Sequence, residues 1–147
     1  MKRILSLLLV CLVLCLAQVQ AQSHKPTTED HPFAGHFFCK DTGTHIYLNL
    51  YEATLTAPGF SFLGQMNGYM NGDIYGTWML ISHKVKGKKA LLRFSNDIGA
   101  DSQNIEFTQT SDSTFTYRAV DGNAIRKAVG RKLVKVTPDM TFQKMPK

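Results

Sequence analysis

Five histidines and three cysteines are the side chains that could carry nucleophilic or acid–base chemistry in this sequence. His36 and Cys39 lie three residues apart in a run that alternates like a β-strand, so their side chains should point to opposite faces. His45 and His83 stand alone at the ends of predicted strands. The sequence contains no Gly-x-Ser-x-Gly elbow, phosphate-binding loop or paired-carboxylate motif. We therefore predict a protein that is not an enzyme.

A candidate metal site depends on how the N-terminus is processed. Cleavage after Ala21 would produce a terminus that begins Gln22, Ser23, His24. A free amine, two backbone amides and an imidazole in that order can enclose Cu(II) or Ni(II) in a square plane. If Gln22 cyclises instead, the amine is lost and the site is lost with it. The sequence indicates no cofactor.

Glycines recur at every fourth position between residues 64 and 76, in the stretch that also contains the single tryptophan. If residues 62–70 and 73–82 are strands, a two-residue turn at Asn71-Gly72 mixes apolar and polar faces. A three-residue loop over residues 70–72 keeps the faces separate and sets small residues against large ones, as in the interior of a small barrel. The pairs that it predicts are Gly68 with Ile74, Met66 with Gly76, Gly64 with Trp78, and Phe62 with Leu80.

The same stretch supplies the candidate ligand-binding residues. Met66, Met70, Ile74 and Trp78 should share the inner face, with glycines leaving room beside them. One interpretation is a barrel mouth that holds a small apolar or aromatic ligand. The other is that these side chains simply fill the core. Our leading hypothesis from the sequence is an exported binding protein for such a ligand.

The second hypothesis is a protein-interaction module, such as an inhibitor of an extracellular hydrolase. Tyrosine is favoured at recognition surfaces, and tyrosines occupy the polar faces of several predicted strands. The predicted interaction surface comprises Tyr47, Tyr51, Tyr69, Tyr75, Lys86, Lys88 and Lys89.

Basic residues are concentrated in two clusters, at residues 84–89 and 126–135. The formal net charge of +6 falls to +4 when Lys2 and Arg3 are removed with the predicted signal. Neither cluster has the interleaved aromatic residues that stack on unpaired bases, so we expect no nucleic-acid partner. The alternatives are an anionic polysaccharide, lipid head group or protein surface, or solvated strand faces without a partner.

Residues 1–21 are typical of an export signal. Two basic residues precede an apolar run over 4–17, and Val19-Gln20-Ala21 forms a small-x-small cleavage site. The run is shorter than the about 20 residues that a membrane span requires. Bulky residues before Cys11 and Cys15 argue against a lipoprotein site. We expect a secreted or periplasmic protein, cleaved near Ala21.

Removal of the signal leaves about 126 residues of the 147, enough for one domain with its own core. Residues 22–32 are polar and contain two prolines, which predicts a flexible leader. Cys39 is then the single remaining cysteine, so no internal disulfide can form. Its side chain is either a small buried hydrophobe or one half of an intermolecular disulfide.

Residues 33–147 show short apolar or alternating runs, separated by turn residues every eight to twelve positions. This texture is typical of an antiparallel sandwich or barrel. We predict a single all-β barrel, closed or half-open, of about eight strands, because a barrel leaves few exposed strand edges. The tail is ambiguous. Ile125, Ala128 and Val129 have helical spacing and favour a short helix, whereas residues 133–136 favour a last strand.

Two short motifs suggest family resemblances. Gly76-Thr77-Trp78 resembles the Gly-x-Trp signature of lipocalin-like (calycin) secreted β-barrels. In that family the signature lies on the first strand, whereas here it lies in mid-chain, so the resemblance implies a barrel and carries over no binding residue. Phe37-Phe38-Cys39 is similar to the start of small periplasmic lysozyme-inhibitor barrels, although the second cysteine of that pattern is missing.

Overall fold

A computed structural model describes residues 30–98 and 100–147, in which alternating runs form ten β-strands and one 3-10 turn, Ser61–Leu63. The strands are β1 Ala34–Cys39, β2 Thr44–Asn49, β3 Gly68–Gly72, β4 Trp78–Lys86, β5 Lys89–Asn96, β6 Ser102–Gln109, β7 Thr114–Val120, β8 Arg126–Val129, β9 Lys132–Lys135 and β10 Asp139–Lys144. Residues His31–Lys147 form one compact unit.

Eight strands close into an antiparallel barrel in the order β1-β10-β7-β6-β5-β4-β3-β2. The predicted all-β barrel of about eight strands is therefore confirmed. The closing contact is short, because β1 and β10 pair only at Phe37 with Lys144 and at Phe38 with Gln143. Strands β8 and β9 stand outside the barrel as a separate two-stranded sheet, inserted between β7 and β10.

Inward-facing phenylalanines fill one side of the barrel. Phe37 meets Phe107 and Phe115 edge-on, with ring centroids 5.2 and 4.7 Å apart, and Phe107 contacts Phe142 at 5.8 Å. All four are fully buried. Cys39 follows Phe37 on the inner face and is 1% exposed, so it packs as a small apolar side chain.

The predicted pairing of the glycine-rich stretch is wrong. Strand β3 runs through Asn71-Gly72 and β4 begins only at Trp78, so the chain turns over residues 73–77. Met70 therefore lies opposite Trp78, which the prediction had paired with Gly64. The physical reason is the neighbouring strand β2, which keeps pairing with β3 as far as Thr44 opposite Gly72. Gly72 has φ +106°, and a Cβ there would lie 2.2 Å from the backbone oxygen of Gly43.

The remaining residues of that prediction lie apart. Phe62 is 80% exposed in the 3-10 turn, which Gly64 ends, and Met66 forms an isolated bridge with Leu55. Gly68 is buried and faces Leu48, whose Cδ2 would be 2.7 Å from an added Cβ. One glycine is thus a small residue on the inner face, as expected, but its partner belongs to β2.

The short C-terminal helix is also wrong. Ala128 and Val129 lie in β8, which turns at Gly130 (φ +61°) and returns as β9, and Ile125 lies directly before β8. Val129 is 52% exposed, whereas Ile125 and Val136, at the base of the hairpin, are buried. The last barrel strand is β10, a segment for which the sequence analysis made no prediction.

Candidate functional site

Five aromatic rings form a continuous stack across the outer face of β1, β2 and β3. The order is Phe38, His45, His36, Tyr47 and Tyr69, with successive ring centroids 4.6, 5.0, 4.4 and 4.7 Å apart. Successive rings are tilted by only 7 to 25°. We call these five residues the aromatic face.

Strand alternation and register together produce this stack. Phe37 and Cys39 point inward, so His36 and Phe38 between and beside them point outward. Directly opposite pairs on an antiparallel sheet have side chains close enough to touch. The register supplies three such pairs: Phe38 with His45, His36 with Tyr47, and Tyr47 with Tyr69.

His36 and His45 meet through their ring edges, because a 2.8 Å nitrogen–nitrogen distance with centroids 5.0 Å apart places the two rings end to end. His36 Nε2 and His45 Nδ1 are 2.8 Å apart, and this hydrogen bond requires one ring nitrogen to donate and the other to accept. Burial, and secondarily the charge of His45, lowers the pKa of His36. Burial, together with Tyr47, raises the pKa of Tyr69. The aromatic face therefore presents His36 as a neutral imidazole at neutral pH, hydrogen-bonded to His45.

The predicted interaction surface is divided among several places. Tyr47 and Tyr69 belong to the aromatic face, whereas Tyr51 stacks on His31 at 4.1 Å, and Tyr75 lies in the connection between β3 and β4. Lys86, Lys88 and Lys89 lie at the turn between β4 and β5. Sequence reasoning missed Phe38, His36 and His45 as members of one surface. Their signal was the alternation of histidine with aromatic residues on two consecutive predicted strands.

The predicted ligand-binding residues lie mainly in the core. Met70, Ile74 and Trp78 are exposed by 0, 7 and 2%, and Trp78 Nε1 donates a hydrogen bond to the Tyr75 carbonyl at 3.1 Å. Met66 is half-buried and lies apart from them. Beside Trp78 is a cleft of about 80 Å³, also lined by Tyr75 and Leu133.

A larger open cleft, of about 520 Å³, lies where β1 and β10 separate. Tyr117 lines it and is 1% exposed, and its hydroxyl has no hydrogen-bond partner among the described residues; burial raises the pKa of this hydroxyl. Glu106, also in the lining, accepts hydrogen bonds from Arg118 and Lys89, and these bonds lower its pKa. At neutral pH the cleft thus presents a protonated phenol and a carboxylate whose charge is already balanced.

The other predicted chemistry is not assembled in the described part of the chain. Within residues 30–98 and 100–147, no group of three or more His, Cys, Asp or Glu side chains is arranged to hold a metal ion. Gln22, Ser23 and His24 lie outside the described residues. His83 bonds the Leu50 carbonyl at 3.0 Å. A search of the described residues finds no helix long and apolar enough to cross a membrane.

The chain was compared with protein-family models, curated proteins and solved structures. No family model, curated protein or solved structure matches the chain.

Proposed function

We propose that this chain is an exported, non-enzymatic binding protein that recognises a protein partner through the aromatic face. The observation that carries the proposal is the five-ring stack, which spans three strands and is held by the hydrogen bond between His36 and His45. Its side chains are already ordered by their neighbours. Little conformational entropy is therefore lost when a partner binds.

The composition of the aromatic face favours a protein partner over a nucleic acid. A nucleic-acid site combines stacking rings with a positively charged groove, and none of the five residues of the aromatic face is a lysine or arginine. Tyrosine edges that combine apolar area with a hydroxyl are enriched where proteins meet. An inhibitor of an extracellular hydrolase is one member of this class.

The export part of the proposal rests on the N-terminal sequence. The basic start, the apolar run over residues 4–17 and the small-x-small site ending at Ala21 direct the chain to a secreted or periplasmic location. N-terminal sequencing of the protein from its own host should show a terminus at Gln22. A retained Met1 would contradict export by this route.

Site-specific photo-crosslinking tests the partner surface. A photoreactive phenylalanine in place of Tyr47 lies within the aromatic face, and the same group in place of Thr108 lies on β6, a strand that has no part in this face. In extracts of the host envelope and medium, we expect one stoichiometric protein adduct from position 47 and none from position 108. Equal adducts from both positions, or none from either, would reject the aromatic face as the recognition surface.

The second candidate is a small apolar ligand held in the barrel mouth by Met66, Met70, Ile74 and Trp78. It is supported by the resemblance to lipocalin-like barrels and by the cleft beside Trp78. Ligand pockets typically measure about 300 to 1,000 Å³, so the cleft of about 80 Å³ would have to widen. Titration with a panel of fatty acids and hydrophobic dyes should shift Trp78 fluorescence if this candidate is correct. An unchanged spectrum with every ligand would reject it.

A further inference from the structure

Strands β8 and β9 form an exposed hairpin, which we call the basic ribbon, residues 126–135. It supplies no strand to the barrel, in which β10 pairs directly with β7. Five of its ten residues are basic and none is acidic. Its basic residues are Arg126, Lys127, Arg131, Lys132 and Lys135.

The base of the basic ribbon is firmly attached to the barrel. Ile125 and Val136 are buried, and the Val136 N–H donates to the Ile125 carbonyl at 3.0 Å. Gln103, itself buried, accepts a hydrogen bond from the Ala124 N–H at 2.6 Å. The Tyr75 N–H donates to the Arg126 carbonyl at 2.7 Å. The ribbon is therefore presented in a defined orientation at one end of the barrel.

Beyond this base, the basic ribbon exposes large apolar side chains. Val129, Leu133 and Val134 are exposed by 52, 46 and 45%. The register places Leu133 opposite Ala128 on one face, and Val134 opposite Lys127 on the other. Both faces thus combine apolar and basic side chains, and neither is covered by another strand of the described chain.

The five basic side chains of the ribbon are not ion-paired within the part of the chain that the structure describes. Aspartates do lie in loops at the same end of the barrel, and Asp73 lines a groove beside Lys127 and Val129. Arg131 and Lys132, at the turn, are the basic residues farthest from the base of the ribbon.

A second copy of the chain is a poor occupant for this surface. Strand β9 has a free edge, and an exposed edge can pair with a strand of another molecule. Pairing of two β9 edges would bring the lysines at positions 132 and 135 of both copies together, and like charges oppose such pairing. Charge complementarity requires an anionic partner.

We infer that the basic ribbon binds the surface of an anionic phospholipid bilayer. Its arginines and lysines would pair with lipid phosphates, while Val129 and Val134, which the register places on one face, enter the boundary between head groups and acyl chains. Long basic side chains can keep their charged ends in the head-group layer while their stems lie along apolar surface. An acidic flat surface without an apolar layer would satisfy the charges but would leave these two side chains in water.

Co-sedimentation with vesicles tests this inference. Wild-type protein should bind vesicles of phosphatidylglycerol and phosphatidylcholine more tightly than vesicles of phosphatidylcholine alone, and added salt should weaken the binding. Each basic residue near an anionic surface strengthens partitioning by about fivefold, so Arg131→Glu with Lys132→Glu should weaken it by at least about 30-fold. The matched control is Lys86→Glu with Lys88→Glu, which changes the net charge equally at the other end of the barrel. It should have a much smaller effect.

The apolar contribution has its own variants. Val129→Ser with Val134→Ser should weaken vesicle binding, whereas Ile81→Ser with Val85→Ser, at exposed sites on β4, should not. The tryptophan introduced by Val129→Trp should shift its fluorescence emission to shorter wavelength when phosphatidylglycerol vesicles are added. The emission of Trp78, which is buried, should stay constant. Unchanged urea midpoints show that each variant is folded.

Three results would overturn the inference. The first is wild-type protein that does not distinguish anionic from neutral vesicles. The second is equal loss of binding in the two charge-reversal variants, which would show attraction by net charge alone. The third is a tryptophan at position 129 that stays in water on bound vesicles.

Discussion

The two basic hairpins of this protein have similar sequences and opposite environments. The hairpin of β4 and β5 contains four lysines within residues 84–89, and the basic ribbon contains five basic residues within 126–135. Both strands of the first hairpin belong to the barrel, where Ala90 and Leu92 are buried. The ribbon belongs to no larger sheet, and every residue of β9 is exposed.

The two hairpins also differ in the counter-charges beside them. Lys89 lies 3.3 Å from Glu106, because the next strand, β6, supplies a carboxylate beside it. The basic ribbon has no next strand, so nothing in the sheet can supply a counter-charge. Lys89 thus has a counter-charge supplied by the fold, whereas no basic side chain of the ribbon has one among the described residues.

The largest difference in stability between the two hairpins is expected when one leucine is replaced in each. Leu92→Ala removes a side chain that is 2% exposed and should cost about 2 to 5 kcal/mol of unfolding free energy, because it leaves a cavity in the barrel. Leu133→Ala removes one that is 46% exposed and should change stability by less than about 0.5 kcal/mol. Urea denaturation measures both. Comparable losses would mean that the ribbon is part of the core.

A smaller effect is expected at the attachment of the basic ribbon. Gln103→Ala leaves the Ala124 N–H and the Gly122 carbonyl without their partner, which should cost about 1 to 3 kcal/mol. Hydrogen exchange should accelerate in β8 and β9 more than in β4 and β5. Gln109→Ala, near the turn at the opposite end of β6, serves as the control and should leave exchange in the ribbon unchanged. Unaltered ribbon exchange in Gln103→Ala would show that this side chain does not anchor it.

The aromatic face should respond to mild acid before either hairpin does. The unfolded chain protonates His36 near pH 6.5, whereas the pKa of His36 is lowered in the folded protein. As the pH falls below 6.5, the unfolded state therefore binds more protons, and stability should decline until the pH passes the lowered pKa. Urea midpoints between about pH 7.5 and pH 5 should show this decline. His36→Gln should remove part of it, and an identical decline in that variant would exclude His36 as its source.

The smallest effect is expected for the neutralised lysine of the β4–β5 hairpin. Arg118, followed by Lys89, lowers the pKa of Glu106 below its ordinary value of 4.5. The resulting stabilisation is present above pH 4.5 and is lost as the pH falls through the lowered pKa. Glu106→Gln should therefore be slightly less stable than wild type at neutral pH and equal to it in strong acid. A difference that persists in strong acid would require a role for Glu106 other than ion pairing.

Local patterns predicted the strands more reliably than their partners. Short alternating runs over residues 33–147 predicted a barrel of about eight strands, and the barrel has eight. The glycine-rich stretch failed because its pairing was inferred from its own residues alone. Contact with β2 extended β3 to Gly72, which no pattern within residues 62–82 could show.

Only part of the aromatic face could be predicted from local patterns in the sequence. Tyr47 and Tyr69 could be placed on outer faces by alternation, but their direct contact depends on the register between β2 and β3. His36 and His45 come from different strands, and their hydrogen bond depends on the register between β1 and β2. Register is set by every pair along two strands, so one residue's surroundings cannot be read from its own segment.

By itself, the sequence determined the all-β class, the approximate number of strands, the outward or inward direction of many side chains, and the positions of the two basic clusters. These are properties of short segments, since alternation and turn chemistry act over a few residues. Only the tertiary structure decided that five rings form one stack, that Lys89 meets Glu106, and that the basic ribbon stands outside the barrel. Each of these depends on which strands are neighbours, and β10, which pairs with both β1 and β7, completes the strand order of the barrel.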